Sequence, residues 1–309
     1  MANGSTKIFQ TSDVENRGDF GTVDWALFFG IAFVWGSSFL FIAIALDGLT
    51  PGIITLGRVG LGALTLWIIR GLRGGGTPIA PSDRARVFLL SWLWVGIPFT
   101  LFPLAQEYVN SAVTGLLNGA MPIFAAIVST VFLKAAPKGV QLAGIVIGFV
   151  GIVLVSLGSG GDGGNEALGV LMILAATVCY GFAVNVAVPL QRSYGAITLM
   201  SNMLGLATIW VIPLAFRDLG DNDPAVGTVA AVAFLGIVGT GLAYWVMATL
   251  VGRVGAIRAS FATYLIPVVA LVLGVIFRDD EVTALTIVGA VFTIGGALLA
   301  SRRETSRVS

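Results

Sequence analysis

Residues 158–166 read GSGGDGGNE, a glycine-rich stretch in the middle of a 309-residue chain, between two long apolar runs. Such a composition forms a flexible linker. On both sides of it, long apolar runs alternate with short polar breaks. A helix that crosses about 30 Å of hydrocarbon needs roughly 20 residues. The runs predict ten such helices, five before the linker and five after it, over residues 24–45, 53–70, 87–104, 112–133, 140–157, 168–190, 198–216, 226–249, 257–277 and 283–301.

The composition favours a membrane protein over a soluble one. The chain is 57% hydrophobic and 11% charged, with a mean hydropathy of +0.96, whereas soluble proteins carry about 25% charged residues. Glycine contributes 41 residues, which is typical of closely packed transmembrane helices. The runs lack the strict alternation of barrel strands. We therefore predict an all-α integral membrane protein.

Several functional classes are disfavoured by what the sequence lacks. It has no histidine and one cysteine, Cys179, so the commonest general base and a thiolate metal cluster are missing. No P-loop pattern for ATP hydrolysis occurs. The net charge of +1 gives no basic surplus for nucleic acid. We expect no enzymatic activity, no catalytic residues, no bound metal or cofactor and no nucleic-acid partner.

The two halves of the chain resemble each other after a shift of 145 residues. One register without gaps aligns five pairs of glycines and one pair of prolines: Gly36 with Gly181, Gly60 with Gly205, Gly96 with Gly241, Gly144 with Gly289, Gly151 with Gly296, and Pro122 with Pro267. An odd number of helices per copy forces the second copy to cross the bilayer in the opposite direction. The sequence thus predicts ten transmembrane helices as two inverted five-helix repeats, an architecture typical of secondary transporters.

The distribution of Lys and Arg predicts the orientation, because cytoplasmic loops carry an excess of both. Fourteen lie on the side that holds both termini, and two, Arg217 and Arg278, lie on the other. We therefore expect both termini on the cytoplasmic side of the cell membrane, which we take to be a bacterial inner membrane. The resulting division is a cytoplasmic N-terminal tail (1–23), a first repeat (24–157), an extracytoplasmic linker (158–167), a second repeat (168–301) and a cytoplasmic C-terminal tail (302–309).

Several motifs resemble the EamA type of the drug/metabolite transporter superfamily. They are Trp35-Gly36-Ser37-Ser38-Phe39, Arg58, the stretch 112–117 leading to Met121-Pro122, Ala259-Ser260-Phe261 leading to Ile266-Pro267, and Asp280-Glu281-Val282-Thr283 followed by Gly289 and Gly295-Gly296. The resemblance covers residues 24–301. It implies a ten-helix transporter of small organic molecules, often an exporter of amino acids or related metabolites, without a bound cofactor. Substrate identity does not follow from membership.

Two other functions stay open beside a secondary exporter or facilitator of neutral or zwitterionic metabolites. One is a non-transporting receptor or scaffold in the membrane. The other is a lipid-modifying membrane enzyme, which needs a polar catalytic cluster near an interface, and the absence of histidine weighs against it. The expected partners are a small-molecule substrate and the lipid bilayer, with the chain as a monomer or homodimer.

Two signals point to a substrate cavity near the middle of the bilayer. Pro122 and Pro267 each free the carbonyl four residues earlier, those of Asn118 and Thr263, in the middle of helices 4 and 9. Trp35 and Tyr180 are equivalent positions in the repeats, and Tyr244 and Tyr264 add further aromatic surface. Bending for packing, and aromatic anchoring at the lipid interface, are the alternatives. We predict that Asn118, Trp35, Tyr180, Tyr244 and Tyr264 line one cavity.

Arg58 is the only charge well inside a predicted helix. Such a charge suggests function, and Arg58 would then bind a substrate carboxylate near the outer mouth of the cavity. Alternatively, its long side chain snorkels to the outer interface in a structural role, with Glu107 as counter-charge. The absence of a mid-membrane acid favours a facilitator, an exchanger or a weakly coupled exporter, because proton-coupled pumps usually carry such a relay.

Overall fold

The computed structural model describes residues 20–133, 139–158, 164–217 and 219–301. The tail residues 1–19 and 302–309 and the linker residues 159–163 lie outside this part. The described residues form ten helices: α1 (Thr22–Leu46), α2 (Pro51–Leu72), α3 (Pro81–Ala105), α4 (111–133), α5 (Gly139–Gly158), α6 (Gly164–Tyr194), α7 (Ala196–Arg217), α8 (Val226–Val254), α9 (256–278) and α10 (Ala284–Ala300).

The lengths of these helices fit a bilayer. Nine of the described helices are long and apolar enough to cross it, and α10 is a shorter apolar helix of 17 residues, at the lower limit for a span. The ten-helix, all-α fold predicted from the sequence is confirmed. α6 is longer than predicted, starting at Gly164 and ending at Tyr194.

Helix contacts between the two halves are reciprocal. α2 packs against α7, and α5 packs against α10, so each of these helices contacts its own equivalent. α1 packs against α9 just as α6 packs against α4. A Cβ atom added to Gly36 of α1 would lie 3.0 Å from the carbonyl oxygen of Ile266, and one added to Gly181 of α6 would lie 3.0 Å from that of Phe124. This exchange of partners is the pattern that a two-fold relation between the repeats produces.

The α5–α10 contact shows why the glycines recur. A Cβ added to Gly151 would lie 2.7 Å from the carbonyl oxygen of Gly289, and one added to Gly296 would lie 2.7 Å from that of Gly144. These pairs exchange under the shift of 145. Glycine lets two backbones approach this closely, so these residues serve packing.

Four helices are interrupted, at equivalent places in the two repeats. α3 contains a π-helical stretch at Ser91–Gly96, and α8 contains one at Phe234–Leu242. α4 breaks between Asn118 and Met121, and α9 narrows to a 3₁₀ helix at Phe261–Leu265. The breaks at the prolines were predicted from the sequence, whereas the π-helical stretches were not. π-Bulges often occur at functional sites.

Candidate functional site

Arg58 of α2 is buried, with 7% of its surface exposed. Its Nε donates a hydrogen bond of 3.3 Å to the Thr240 hydroxyl on α8. Its guanidinium carbon lies 4.0 Å from the ring centroid of Phe99 on α3. The Thr240 hydroxyl in turn donates to the carbonyl of Leu235, five residues earlier, at 2.8 Å. The π-helical stretch thus orients the hydroxyl so that its lone pair faces Arg58.

No acidic side chain in the described part of the chain pairs with this charge. Among the described residues, Arg58 forms no ion pair, and its hydrogen-bonded partner is the neutral Thr240. The sequence-based alternative that Arg58 snorkels to the interface with Glu107 as counter-charge is wrong on both points. The side chain packs on Phe99 inside the protein, and Glu107 is exposed at the outer ends of the helices.

Two of the predicted aromatic residues, Tyr180 and Tyr244, lie near Arg58, and the third, Trp35, packs on Tyr244. The rings of Trp35 and Tyr244 pack edge to face with centroids 5.7 Å apart. Tyr180 packs against Phe102 at 6.1 Å, and both Tyr180 and Tyr244 lie close enough to Arg58 for electrostatic interaction. The structure therefore brings Trp35, Arg58, Tyr180 and Tyr244 together, from α1, α2, α6 and α8. We call these four residues the Arg58 cluster.

Asn118 lies at the break of α4. It is the last residue of the segment Ser111–Asn118, and its side-chain oxygen is buried without a hydrogen-bond partner. The preceding residues Leu116 and Leu117 belong to the core on which Tyr180 packs. Tyr180 also packs on a second core, which contains Phe99, so it lies between the two cores.

Tyr264 is directed elsewhere. It lies in the 3₁₀ segment of α9, and its hydroxyl is 3.4 Å from the carbonyl oxygen of Ala297, near the end of α10. Its ring neighbour is Phe261, at 6.2 Å. The structure places this side chain toward α10 and not in the Arg58 cluster.

Sequence reasoning did not assign Phe99, Phe102, Thr240 or Trp94 to the site. The indole N–H of Trp94 donates to the Tyr244 hydroxyl at 3.1 Å, which holds that ring beside Arg58. The repeat contained one usable signal, because the shift of 145 aligns Phe99 with Tyr244. Thr240 could not be identified in this way, since its equivalent is Val95.

Two adjoining cavities open at the ends of the helices that the charge distribution places outside. The larger, of about 540 Å³, is lined by residues 46–50, Gln106, Glu107, Asp221 and Asp223. The smaller, of about 300 Å³, shares Asp47 and Gln106 with it and adds Arg278 and Asp280. The predicted site residues line neither of them, so the Arg58 cluster lies deeper in the protein.

The described residues contain no group of three or more His, Cys, Asp or Glu side chains able to hold a metal ion. The guanidinium of Arg58 is the charged group of the Arg58 cluster. Its fixed donors and aromatic walls can bind a small anionic group, since Arg pairs with carboxylates in bidentate geometry.

Comparison with known proteins places this geometry in context. The sequence pattern of the EamA-like transporter family matches the chain twice, over residues 25–157 and 167–302. The chain is 27% identical to the uncharacterized transporter YdfC of Bacillus subtilis, over 85% of this chain and 86% of that protein. It is 24% identical to a protein of Streptantibioticus cattleyicolor named "Probable terminal-alkyne amino-acid exporter", over 92% and 94% of the two chains.

A solved structure shares the fold. A protein crystal structure matches with a TM-score of 0.63 and 16% sequence identity, over 90% of this chain and 98% of the other.

Proposed function

The chain belongs to the EamA-like transporter family, and on this premise we propose that it is a secondary carrier of small carboxylate-bearing metabolites, such as amino acids and related zwitterions. Transport would proceed by alternating access to the Arg58 cluster between the two repeats. Export is the favoured direction, because one relative is named an amino-acid exporter. The fourteen-to-two distribution of Lys and Arg supports a cell membrane location with both termini in the cytoplasm.

The observation that carries the proposal is the buried guanidinium without an acidic partner. Charges inside membrane proteins are costly and are usually paired. The Nε of Arg58 donates to Thr240, while its terminal nitrogens take part in none of the ion pairs among the described residues. Those nitrogens can hold a carboxylate in bidentate geometry. A bound substrate would thus supply the missing counter-charge.

The aromatic walls favour a substrate that also has an apolar part. Trp35, Tyr180 and Tyr244 offer ring surface, and aromatic side chains bury large areas with few rotatable bonds. Doubly charged phosphate esters fit poorly, because they need several cations. Facilitated transport or exchange is favoured over proton coupling, since the sequence places no Asp or Glu at mid-membrane.

Counterflow with purified protein in liposomes tests the proposal. Preloaded vesicles should accumulate labelled neutral amino acids, and their decarboxylated amines should compete poorly. Arg58→Gln should weaken competition by carboxylates at least about tenfold, because a hydrogen bond to a charged group contributes about 1.5–3 kcal/mol.

Arg70→Gln is the matched control, because Arg70 lies on the same helix but contacts the exposed carbonyl of Gly76. It should leave competition unchanged. Equal binding of amino acids and amines, or an Arg58→Gln variant that transports normally, would refute the proposal. A folded protein that moves no solute of the panel would favour the receptor or scaffold alternative.

A further inference from the structure

Phe99 of α3 is held against α2 at two points. The centroid of its ring lies 4.0 Å from the guanidinium carbon of Arg58. Its main-chain carbonyl oxygen accepts a hydrogen bond of 3.0 Å from the hydroxyl of Thr55. Thr55 and Arg58 are three residues apart on α2, so their side chains are neighbours on one face of that helix. One residue of α3 therefore contacts both side chains, through its ring and through its backbone.

The carbonyl of Phe99 is available for this contact because of a proline. Pro103 lies inside α3, four residues after Phe99. It has no N–H and cannot donate to the Phe99 carbonyl as a regular helix requires. A buried carbonyl needs a donor, and the fully buried Thr55 hydroxyl supplies one from the neighbouring helix. The same hydroxyl lies 2.7 Å from the Pro51 carbonyl of its own helix, so the two oxygens share its single proton.

The second repeat does not reproduce this contact. The three residues that form it have different equivalents under the shift of 145: Met200 for Thr55, Tyr244 for Phe99 and Ala248 for Pro103. Methionine offers no hydroxyl, and alanine keeps the backbone N–H that proline lacks. The packing of the repeated scaffold therefore does not depend on this hydrogen bond. In the first repeat it lies next to the one position of the site that carries a charge.

The hydrogen bond from Thr55 affects the guanidinium through the ring of Phe99. The guanidinium is restrained from two helices, by the Phe99 ring of α3 and by the Thr240 hydroxyl of α8, which accepts from its Nε. These two contacts determine where its terminal nitrogens point. An arginine that is already ordered loses less conformational entropy when it binds a carboxylate. A shift of the Phe99 backbone would release one of the two restraints.

We propose that Thr55 is a positioning residue for carboxylate binding. It holds the backbone of Phe99 so that the ring restrains Arg58, and it does not contact the substrate. Pro103 completes the arrangement, because it leaves the Phe99 carbonyl free to accept a hydrogen bond from α2. This inference rests on the proposed function and adds to it a specificity determinant outside the Arg58 cluster.

Competition binding to purified protein tests the inference. Thr55→Val removes the hydroxyl and keeps the shape of the side chain. Competition by neutral amino acids should weaken about two- to tenfold, the range expected when an ordered side chain becomes mobile. Competition by the decarboxylated amines should stay as it is in wild type, because they have no carboxylate for Arg58 to bind. Thr55→Ser keeps the hydroxyl and should compete as wild type does.

A double substitution separates positioning from stability. Thr55→Val should also lower the melting temperature, because it removes the donor of a buried carbonyl. Adding Pro103→Ala restores an N–H within α3 and should recover the melting temperature. It should not recover competition by amino acids, since the Phe99 carbonyl is then bound by its own helix and not by α2.

Thr65→Val is the matched control. Thr65 also lies on α2, and its hydroxyl donates to the Leu61 carbonyl of the same helix at 2.7 Å. The substitution should change neither the melting temperature nor the competition. If Thr55→Val alone does not fold, the double variant is compared with wild type instead, because its Phe99 carbonyl has a donor.

Two results would overturn the inference. One is recovery of both melting temperature and amino-acid competition in the double variant, which would show that Thr55 only satisfies a carbonyl. The other is a Thr55→Val protein that loses amino acids and amines equally, or loses neither. Arg58→Gln decides the proposed function separately. If that variant still weakens amino acids alone, the proposed function stands and only the role of Thr55 is wrong; if it does not, the proposed function fails and the inference fails with it.

Discussion

Position 58 in the first repeat is arginine, and the equivalent position 203 in the second repeat is methionine, although α2 and α7, which carry them, pack against each other. The partners of Arg58 differ as well. Thr240, which accepts its hydrogen bond, corresponds to Val95 in the first repeat. Phe99 and Tyr244 are equivalent to each other, and both lie beside the same guanidinium.

The comparison separates scaffold from recognition. Both repeats keep the π-helical stretches, the proline-associated breaks and the glycine contacts, because these determine how helices fit together. The polar side chains at the centre are not duplicated. A symmetric scaffold can alternate between two related arrangements. An asymmetric set of side chains can bind an asymmetric substrate in one orientation.

The scaffold half of this comparison predicts the largest effect. Gly296→Ala should destabilise the protein by about 3 kcal/mol or more, because overpacking a well-packed contact costs about 1–3 kcal/mol and occasionally more. The added Cβ would lie 2.5 Å from the Cα of Gly148, and backbone atoms cannot rotate away. Gly151→Ala, at the equivalent position, should do the same. The measurement is thermal unfolding in detergent, followed by size-exclusion chromatography.

Gly295→Ala is the control for this prediction. It changes the neighbouring residue, where an added Cβ meets nothing within 4 Å, and should be neutral or slightly stabilising because alanine favours helix. Equal melting temperatures for the Gly295 and Gly296 variants would show that the α5–α10 contact is looser than described.

The recognition half predicts the next effect. Met203→Arg places a charge at the repeat equivalent of Arg58, in a side chain that is fully buried. No threonine faces it there, because Val95 replaces Thr240. The variant should lose about 2.5–3.5 kcal/mol, the cost of an unpaired arginine at mid-membrane, seen as a lower yield and melting temperature. Met203→Leu should cost under about 1.5 kcal/mol. A stable Met203→Arg protein would mean that the two positions are interchangeable.

The sequence determined most of the fold and only part of the site, for physical reasons. Hydrophobic length, lysine and arginine counts and the 145-residue register are local or additive properties, so they gave ten helices and the breaks at Pro122 and Pro267. The π-helical stretches carry no distinctive residue, and the contact between Arg58 and Thr240 joins positions 182 residues apart. Tyr264 shows the opposite difficulty. Its residue type suggested a place in the cavity, whereas its hydroxyl is directed toward Ala297.

The starts of α4 and α9 predict a smaller effect. Asn110 caps α4 by accepting from the Val113 amide at 2.9 Å. Its equivalent is Gly255, with φ of 87° and ψ of 156°, a region essentially restricted to glycine. Asn110→Ala should cost about 1 kcal/mol through the lost cap, and Gly255→Ala about 1–3 kcal/mol through backbone strain. Asn110→Gly should cost only a few tenths. A neutral Gly255→Ala variant in thermal unfolding would contradict this account.

The ends of α1 and α6 give the last contrast. Asp47, just after α1, pairs with Arg278 of α9 through two hydrogen bonds of 2.7 and 3.0 Å, and Asp24 at the other end of α1 pairs with Arg253 of α8. Under the repeat shift, Asp47 corresponds to Arg192 and Arg278 to Leu133. The outer pair is therefore not duplicated on α6, and α1 is held at both membrane faces by charges.

Breaking either ion pair should change the stability of the folded protein little. It should instead change the face of the membrane from which the interior is accessible. Both Asp47 and Arg278 are partly exposed, and such pairs contribute about 0.2–1 kcal/mol, which corresponds to at most about a fivefold change in a two-state population. Asp47→Asn should increase labelling of a cysteine at position 106, beside the outer cavities, by an impermeant thiol reagent in a background without Cys179. Asp24→Asn should decrease this labelling, because the substitution removes the ion pair at the opposite membrane face. Asp279→Asn, next to Arg278 but outside the pair, should have no effect. If Asp47→Asn and Asp24→Asn changed labelling in the same direction, the two ion pairs would not favour opposite states of the access equilibrium.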